Sequence, residues 1–140
     1  MIMKLGANEI QAGIYTCLNN ALSSICAVYD EVPQEEVKLP YVTLGDDSSI
    51  PWNMSKRGSF GRQFNIEVKC WSKKPQFKEV KNIAEKCVEA LGDPASPGFS
   101  ISGFQIIYFD ISATFQRDPD GRTRNGHLNL TINAMQMSTT

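Results

Sequence analysis

The stretch that decides the fold is Phe104–Met137, FQIIYFDISATFQRDPDGRTRNGHLNLTINAMQM. Two alternating runs flank a turn-rich centre. In Phe104–Gln116, Ile107, Phe109, Ile111, Ala113 and Phe115 fall on one face, and Tyr108, Asp110, Ser112 and Thr114 on the other. In Arg124–Met137, Leu128, Leu130, Ile132 and Ala134 alternate with Asn129, Thr131 and Asn133. A period of two is the mark of a half-buried strand. The centre, Arg117–Gly126 (RDPDGRTRNG), supplies the turn: Pro119 suits the second position of a type I turn and Gly121 the fourth. The reading expects Asp118 to accept a bond from the backbone two residues on, and Gly126 to relieve strain where the second strand begins. The runs therefore pair as an antiparallel hairpin. This chemistry uses the aspartates, the proline and the glycines. It leaves Arg117, Arg122 and Arg124 without a role.

Working outward, Arg62–Ser72 (RQFNIEVKCWS) is a third strand. Phe64, Ile66, Val68 and Cys70 point one way, and Asn65, Glu67 and Lys69 the other. A helix follows, with Pro75 in its first turn and an apolar stripe of Phe77, Val80, Ala84, Cys87, Val88 and Leu91. Gly92 and Pro94 end it. An earlier helix is expected to start from Asn8 as N-cap, with Gln11 completing a capping box. Its stripe is Ile10, Ile14, Leu18, Ala21, Leu22 and Ile25. A short strand near Ala27–Asp30 and another at Tyr41–Gly45 come between the helices. The residues Asp46–Gly61 read as a long structureless insert.

The order helix, strand, strand, strand, helix, strand, strand predicts an α+β fold. It is a two-layer sandwich of a mainly antiparallel sheet with both helices packed on one face. The opposite face carries Asn65, Glu67, Lys69, Ser112, Thr114, Asn129, Thr131 and Asn133. One domain spans residues 1–140, with no internal repeat or second unit.

Composition narrows the function. The chain is 41% hydrophobic and 21% charged with a formal net charge of -1, so it presents no broad positive field to nucleic acid. It holds no apolar run long enough to span a bilayer, and MIMKLGANEIQAG lacks the apolar core of a secretory signal. A membrane partner is not expected, and the reading places the protein in a reducing cytosol. There, Cys17, Cys26, Cys70 and Cys87 are reduced, mostly buried thiols.

Specific chemistries fare poorly. The cysteines form no C-x-x-C pair and His127 is the single histidine, so zinc lacks its ligand spacing. Asp118 and Asp120 sit around Pro119 with no glutamate following, which is short of a calcium loop. The glycines run into a strand instead of a helix N-terminus, so no phosphate cradle forms. A nucleophilic site would pair His127 with a cysteine, yet Cys17, Cys70 and Cys87 lie on core-directed faces. No cofactor is expected. A basic nucleic-acid contact at Arg117, Arg122 and Arg124 remains as an alternative, without the aromatic platform such sites use.

Two loops are left as candidates for contact with other proteins. One carries Ile50, Trp52, Met54, Lys56 and Arg57; Trp52 either folds onto the domain edge or anchors a partner. The other carries Arg117, Arg122 and Arg124.

Four segments together resemble a known family. AGIYTCLNNAL (Ala12–Leu22) is similar to its opening helix, and LPYVTLG (Leu39–Gly45) to its Pro-Tyr-Val strand. FNIEVKCWS (Phe64–Ser72) with EVKNIAEKCVEAL (Glu79–Leu91) is similar to its central strand and second helix. RDPDGRTRNGHLNL (Arg117–Leu130) resembles its closing hairpin. The family is that of the tail-completion, or tail-terminator, proteins of long-tailed bacteriophages and prophages. The resemblance implies a structural subunit with no enzymatic activity. It implies a ring, typically hexameric, at the head-proximal end of the tail tube. The partners implied are other copies of the chain, the tail tube protein and the head-tail connector or neck proteins, with DNA only passing through the channel. It places the protein in the host bacterial cytoplasm during assembly and then in the virion tail. The alternatives are a head-completion or neck protein and, further off, a small nucleic-acid-binding domain.

Overall fold

A computed structural model describes residues 3–31, 38–52, 60–73 and 77–137. The elements run α1 (Ala7–Leu22), β1 (Ala27–Tyr29), β2 (Tyr41–Trp52), β3 (Gly61–Ser72), α2 (Lys78–Leu91), β4 (Gly92–Asp93), β5 (Ser96–Pro97), β6 (Phe104–Arg117) and β7 (Arg124–Gln136). Five strands form one sheet in the order β1-β2-β3-β7-β6. β1 lies parallel to β2, and every other neighbour pair in that sheet is antiparallel. β4 and β5 make a separate small hairpin in the segment expected to be a connector. The α+β sandwich is thus the observed architecture.

The core follows from the strand alternation. β3 buries Phe64, Ile66, Val68 and Cys70, and β7 buries Leu128, Leu130, Ile132 and Ala134. Ile10, Ile14, Leu18 and Leu22 of α1 and Val80, Ile83, Ala84, Cys87 and Leu91 of α2 join them in a single cluster. Burying a side chain of this kind is worth about 1.5–3 kcal/mol, which makes this cluster the main source of stability. Ala21 and Val88, expected in the helix stripes, are exposed, because each stripe is narrower than the sequence spacing allows, and Ile25 is exposed because α1 ends before it, at Leu22.

Four local expectations are corrected. Asn8 is not the N-cap of α1. Gly6 holds that place at φ 76°, and no side chain caps the helix. Gly6 is needed there for space as well: a Cβ would lie 2.7 Å from Phe64 Cζ and 2.9 Å from Phe104 Cε2. Those two rings meet edge to face at 5.4 Å.

Within the segment expected to be a structureless insert, Asp46–Trp52 is strand. A bulge between Leu44 and Asp47 lets β2 continue to Trp52, paired with β3 down to Gly61. Bulges absorb a residue that breaks the alternation, which is why the pattern hides the strand. A second bulge, between Ile106 and Tyr108, shifts the start of β6. Phe104, Ile106 and Phe109 then face the core, and Ile107, assigned inward by simple alternation, is 40% exposed. Ala113, on the edge strand, is also exposed.

The expected position of Pro75 lies outside the described residues. α2 is tied to the sheet by Ser72, whose hydroxyl donates to Glu79 Oε1 at 2.5 Å. The N-terminal segment is tied by a second network. Arg62, buried in β3, donates from Nε to Ser49 Oγ at 3.0 Å and from Nη2 to the Ser49 carbonyl at 2.9 Å. Ser49 Oγ in turn donates to the Leu5 carbonyl at 2.6 Å.

Candidate subunit interface

The hairpin tip is built by Asp120. The Asp118 carbonyl accepts from the Gly121 N–H at 2.9 Å, closing the expected DPDG turn, and Asp118 N–H donates to the Thr123 carbonyl at 2.9 Å. The side-chain turn belongs to Asp120, not to Asp118. Its Oδ1 accepts from the N–H groups of Arg122 and Thr123, both at 2.8 Å, and its Oδ2 accepts from Thr123 Oγ1 at 2.6 Å. Asp120 can do this because it stands two and three residues before the donors, the geometry of an Asx turn. The Thr123 hydroxyl and backbone N–H hold its carboxyl down, to a pKa of about 2.

Gly126 also has a different role from the one expected. It pairs with Phe115 across the hairpin, and a Cβ would lie 2.9 Å from Phe115 Cε1. The Phe115 ring covers the glycine, an arrangement that pins register.

The three arginines separate. Arg117 and Arg122 are exposed. Arg124 is 4% exposed and is not available to a partner as expected. Its guanidinium lies over the Phe77 ring at 5.3 Å, and Nη1 donates to the Gly121 carbonyl at 3.2 Å. It is a structural cation that clamps the tip against the start of α2. Arg117 is the cross-strand partner of Arg124, so two like charges stand side by side at the end of the hairpin.

Of the other loop, Ile50 is 45% exposed and Trp52 is half-buried at the end of β2. Met54, Lys56 and Arg57 lie outside the described residues. Ile50 and Trp52 do not lie beside Arg117: β2 and β6 are on opposite sides of the sheet. Sequence reading missed Asp46 and Asp47, both exposed, on the part of β2 that extends beyond β1. With Asp30 and Glu31 they line an open cleft of about 740 Å³.

The polar sheet face is observed, with two additions. His127 Nδ1 lies 2.5 Å from Glu67 Oε1, and Nε2 lies 3.0 Å from Asn125 Oδ1. Tyr29, Tyr41 and Trp71 form an aromatic row near the β1 edge, with successive ring centroids 6.1 Å apart. Cys70 faces the core, so the sheet separates it from His127. Burial raises the Cys17 thiol, raises Cys26 to about 11, and adds to a hydrogen bond with Cys87 in raising Cys70. A nucleophilic thiol needs the opposite shift. Among the described residues no group of three metal-ligating side chains converges, and no helix is long and apolar enough to cross a membrane.

The fold is a two-helix, five-stranded α+β sandwich with a polar outer sheet face. A chain of the "virion of native gene transfer agent (GTA) particle" superposes with a TM-score of 0.76 at 20% identity, over 95% of this chain and 99% of that one, which establishes a shared fold. The chain belongs to the family described as "tail completion protein gp17", whose profile matches residues 13–134. The structure of the bacteriophage SPP1 gp17 protein aligns at 20% identity over 96% of this chain and 86% of that one, with a TM-score of 0.48. No curated protein sequence matches.

Proposed function

We propose that this structural tail-completion protein ends the tail tube of a long-tailed phage or prophage particle. Copies of the chain close into a ring, six subunits in the reading favoured here, at the head-proximal end of the tube. One ring face stops tube growth and the other receives the connector or neck proteins. DNA passes through the channel without being read. The chain does this by surface contact alone and carries out no reaction. The observation that carries the proposal is the family match over residues 13–134, which takes in β1 to β6 and β7 as far as Ala134. Supporting it, Ile107 and Tyr108 on the edge strand β6 and Ile50 near the end of β2 are exposed, and unlike surfaces of this kind suit the head-to-tail contacts that generate closed rings.

The test is to image particles made without this chain. The proposal expects tails of irregular, extended length that fail to join heads, and rescue by supplying the protein. Tails of normal length that join heads would refute it. Tails of normal length with heads that leak DNA would assign the chain to the neck instead.

A further inference from the structure

The sheet has two edges of unlike character. One is β6, a strand of 14 residues paired on one side by β7. Long edge strands are usually blunted by lysine or proline. β6 has neither, and it exposes Ile107 and Tyr108. The other edge is stepped. β1 covers only Tyr41–Thr43 of β2, so the stretch of β2 from Asp46 onward has a strand on the β3 side alone, among the described residues.

Groups of opposite charge face outward at the two strand ends. The end of β6 exposes Arg117, beside a turn that exposes both Arg122 and Asp120; the step of β2 exposes Asp46 and Asp47 beside Asp30 and Glu31, in a cleft that Lys69 also lines. Among the described residues, no ion pair satisfies either set within the chain.

We propose that the end of β6 in one copy adds to the stepped edge of β2 in the next copy, with Arg117 set against Asp47. This rests on the ring reading above and names the contact that closes the ring. β6 runs opposite to β2 in the sheet, so a sheet continued from copy to copy pairs them antiparallel. β1 blocks the incoming strand below Leu44, which stops the hairpin end beside Asp46 and Asp47. Pro51 has no N–H to share, which limits the pairing to about Asp47–Ile50 against Arg117–Thr114. Side-chain faces agree in that register. Arg117 shares a face with Arg124, and Asp47 shares a face with its partner Ile66; both faces are the helix-bearing one.

Four paired residues span about 14 Å of strand, and such a contact falls well below the roughly 800 Å² per partner of a stable free complex. The contact is therefore one of several in a closed ring and does not hold two copies together by itself. The contact is directional, because β6 and β2 are different surfaces, and repetition of it generates a ring and not a dimer.

The test is charge exchange in tails that lack the native protein. Arg117→Asp with Arg122→Asp is one variant, Asp46→Arg with Asp47→Arg the second, and all four changes together the third. Each is first shown to melt like the native chain. The proposal expects each pair alone to lower the yield of completed tails by about ten-fold or more, and the four together to restore it to within about two-fold, since like charges across an interface are what fails. If either pair alone leaves yield unchanged, or the four changes are no better than two, the edge contact is refuted. That result leaves the tail-completion reading standing, provided the native chain still rescues the tails. Failure of the native chain to be needed at all refutes that reading instead. As a second arm, Ser48→Cys with Gln116→Cys, both exposed, gives a cross-linked ladder in assembled tails if the register is right. Neither single substitution gives one, and absence of the ladder in the double variant overturns the register.

Discussion

Gly6 and Gly121 offer a controlled comparison. Both lie at left-handed φ, 76° and 73°. A Cβ on Gly6 meets Phe64 and Phe104 at 2.7 and 2.9 Å, whereas a Cβ on Gly121 meets nothing within 4 Å. Gly121→Ala therefore carries only the backbone penalty, about 1–2 kcal/mol. Gly6→Ala adds overpacking against two buried rings, about 1–3 kcal/mol more, for a total of about 2–5 kcal/mol. At ~3 °C per kcal/mol for a domain of this size, Gly121→Ala lowers Tm by about 3–6 °C and Gly6→Ala by about 6–15 °C. Thermal melts by circular dichroism, checked by urea titration with an unchanged slope, measure both. Equal losses for the two variants would refute the claim that the Phe64–Phe104 pair sets the start of α1.

Three further outcomes follow from the hairpin and the thiols. The Asp120 carboxyl has its pKa lowered from 3.8 to about 2, so its contribution to the turn is fully present above pH 3.8 and is lost as pH falls through about 2. The amide resonances of Arg122 and Thr123 should titrate near pH 2; titration near pH 4 contradicts the Asx turn. Arg124→Ala should destabilise the fold by roughly 1–3 kcal/mol through loss of its charged hydrogen bond and its cover of Phe77, while Arg122→Ala should change stability by less than about 0.5 kcal/mol. Denaturant titration of both variants decides this, and a neutral Arg124→Ala contradicts a structural role. Cys26, raised from 9.0 to about 11, should alkylate at pH 8 about 100-fold more slowly than an ordinary thiol, and the gap should close as pH approaches 11. A rate at pH 8 equal to that of free cysteine contradicts its burial.

The fold was legible where one residue type could do only one thing. Phe64, Ile66, Val68 and Cys70 alternate without interruption, and so do Leu128, Leu130, Ile132 and Ala134; those strands lie where the pattern places them. The pattern fails at the two bulges, because an inserted residue puts the alternation before it out of phase with the alternation after it. That is why β2 reads as ending at Gly45, and why Ile107 reads as core. The start of α1 was illegible for another reason. Asn8 has the right local chemistry for a cap, but the position is fixed by the packing of Gly6 under two rings distant in sequence.

The candidate interface was half legible. The surplus of arginine at the hairpin end is visible once the turn chemistry is subtracted. Which arginine is buried depends on Phe77, 47 positions before Arg124, and no local signal gives that. Asp46 and Asp47 were hidden inside a segment read as loop. Their meaning comes from the step between β1 and β2, a feature of the sheet and not of the sequence around them.

The most direct test of the central claim uses purified tail tube protein during polymerisation. This chain is added at a chosen time and tube lengths are followed by negative-stain microscopy. The account predicts that tubes stop at the length reached on addition, with the added chain found at one end only. Continued growth at the untreated rate, or binding of the chain along the tube walls, would contradict it.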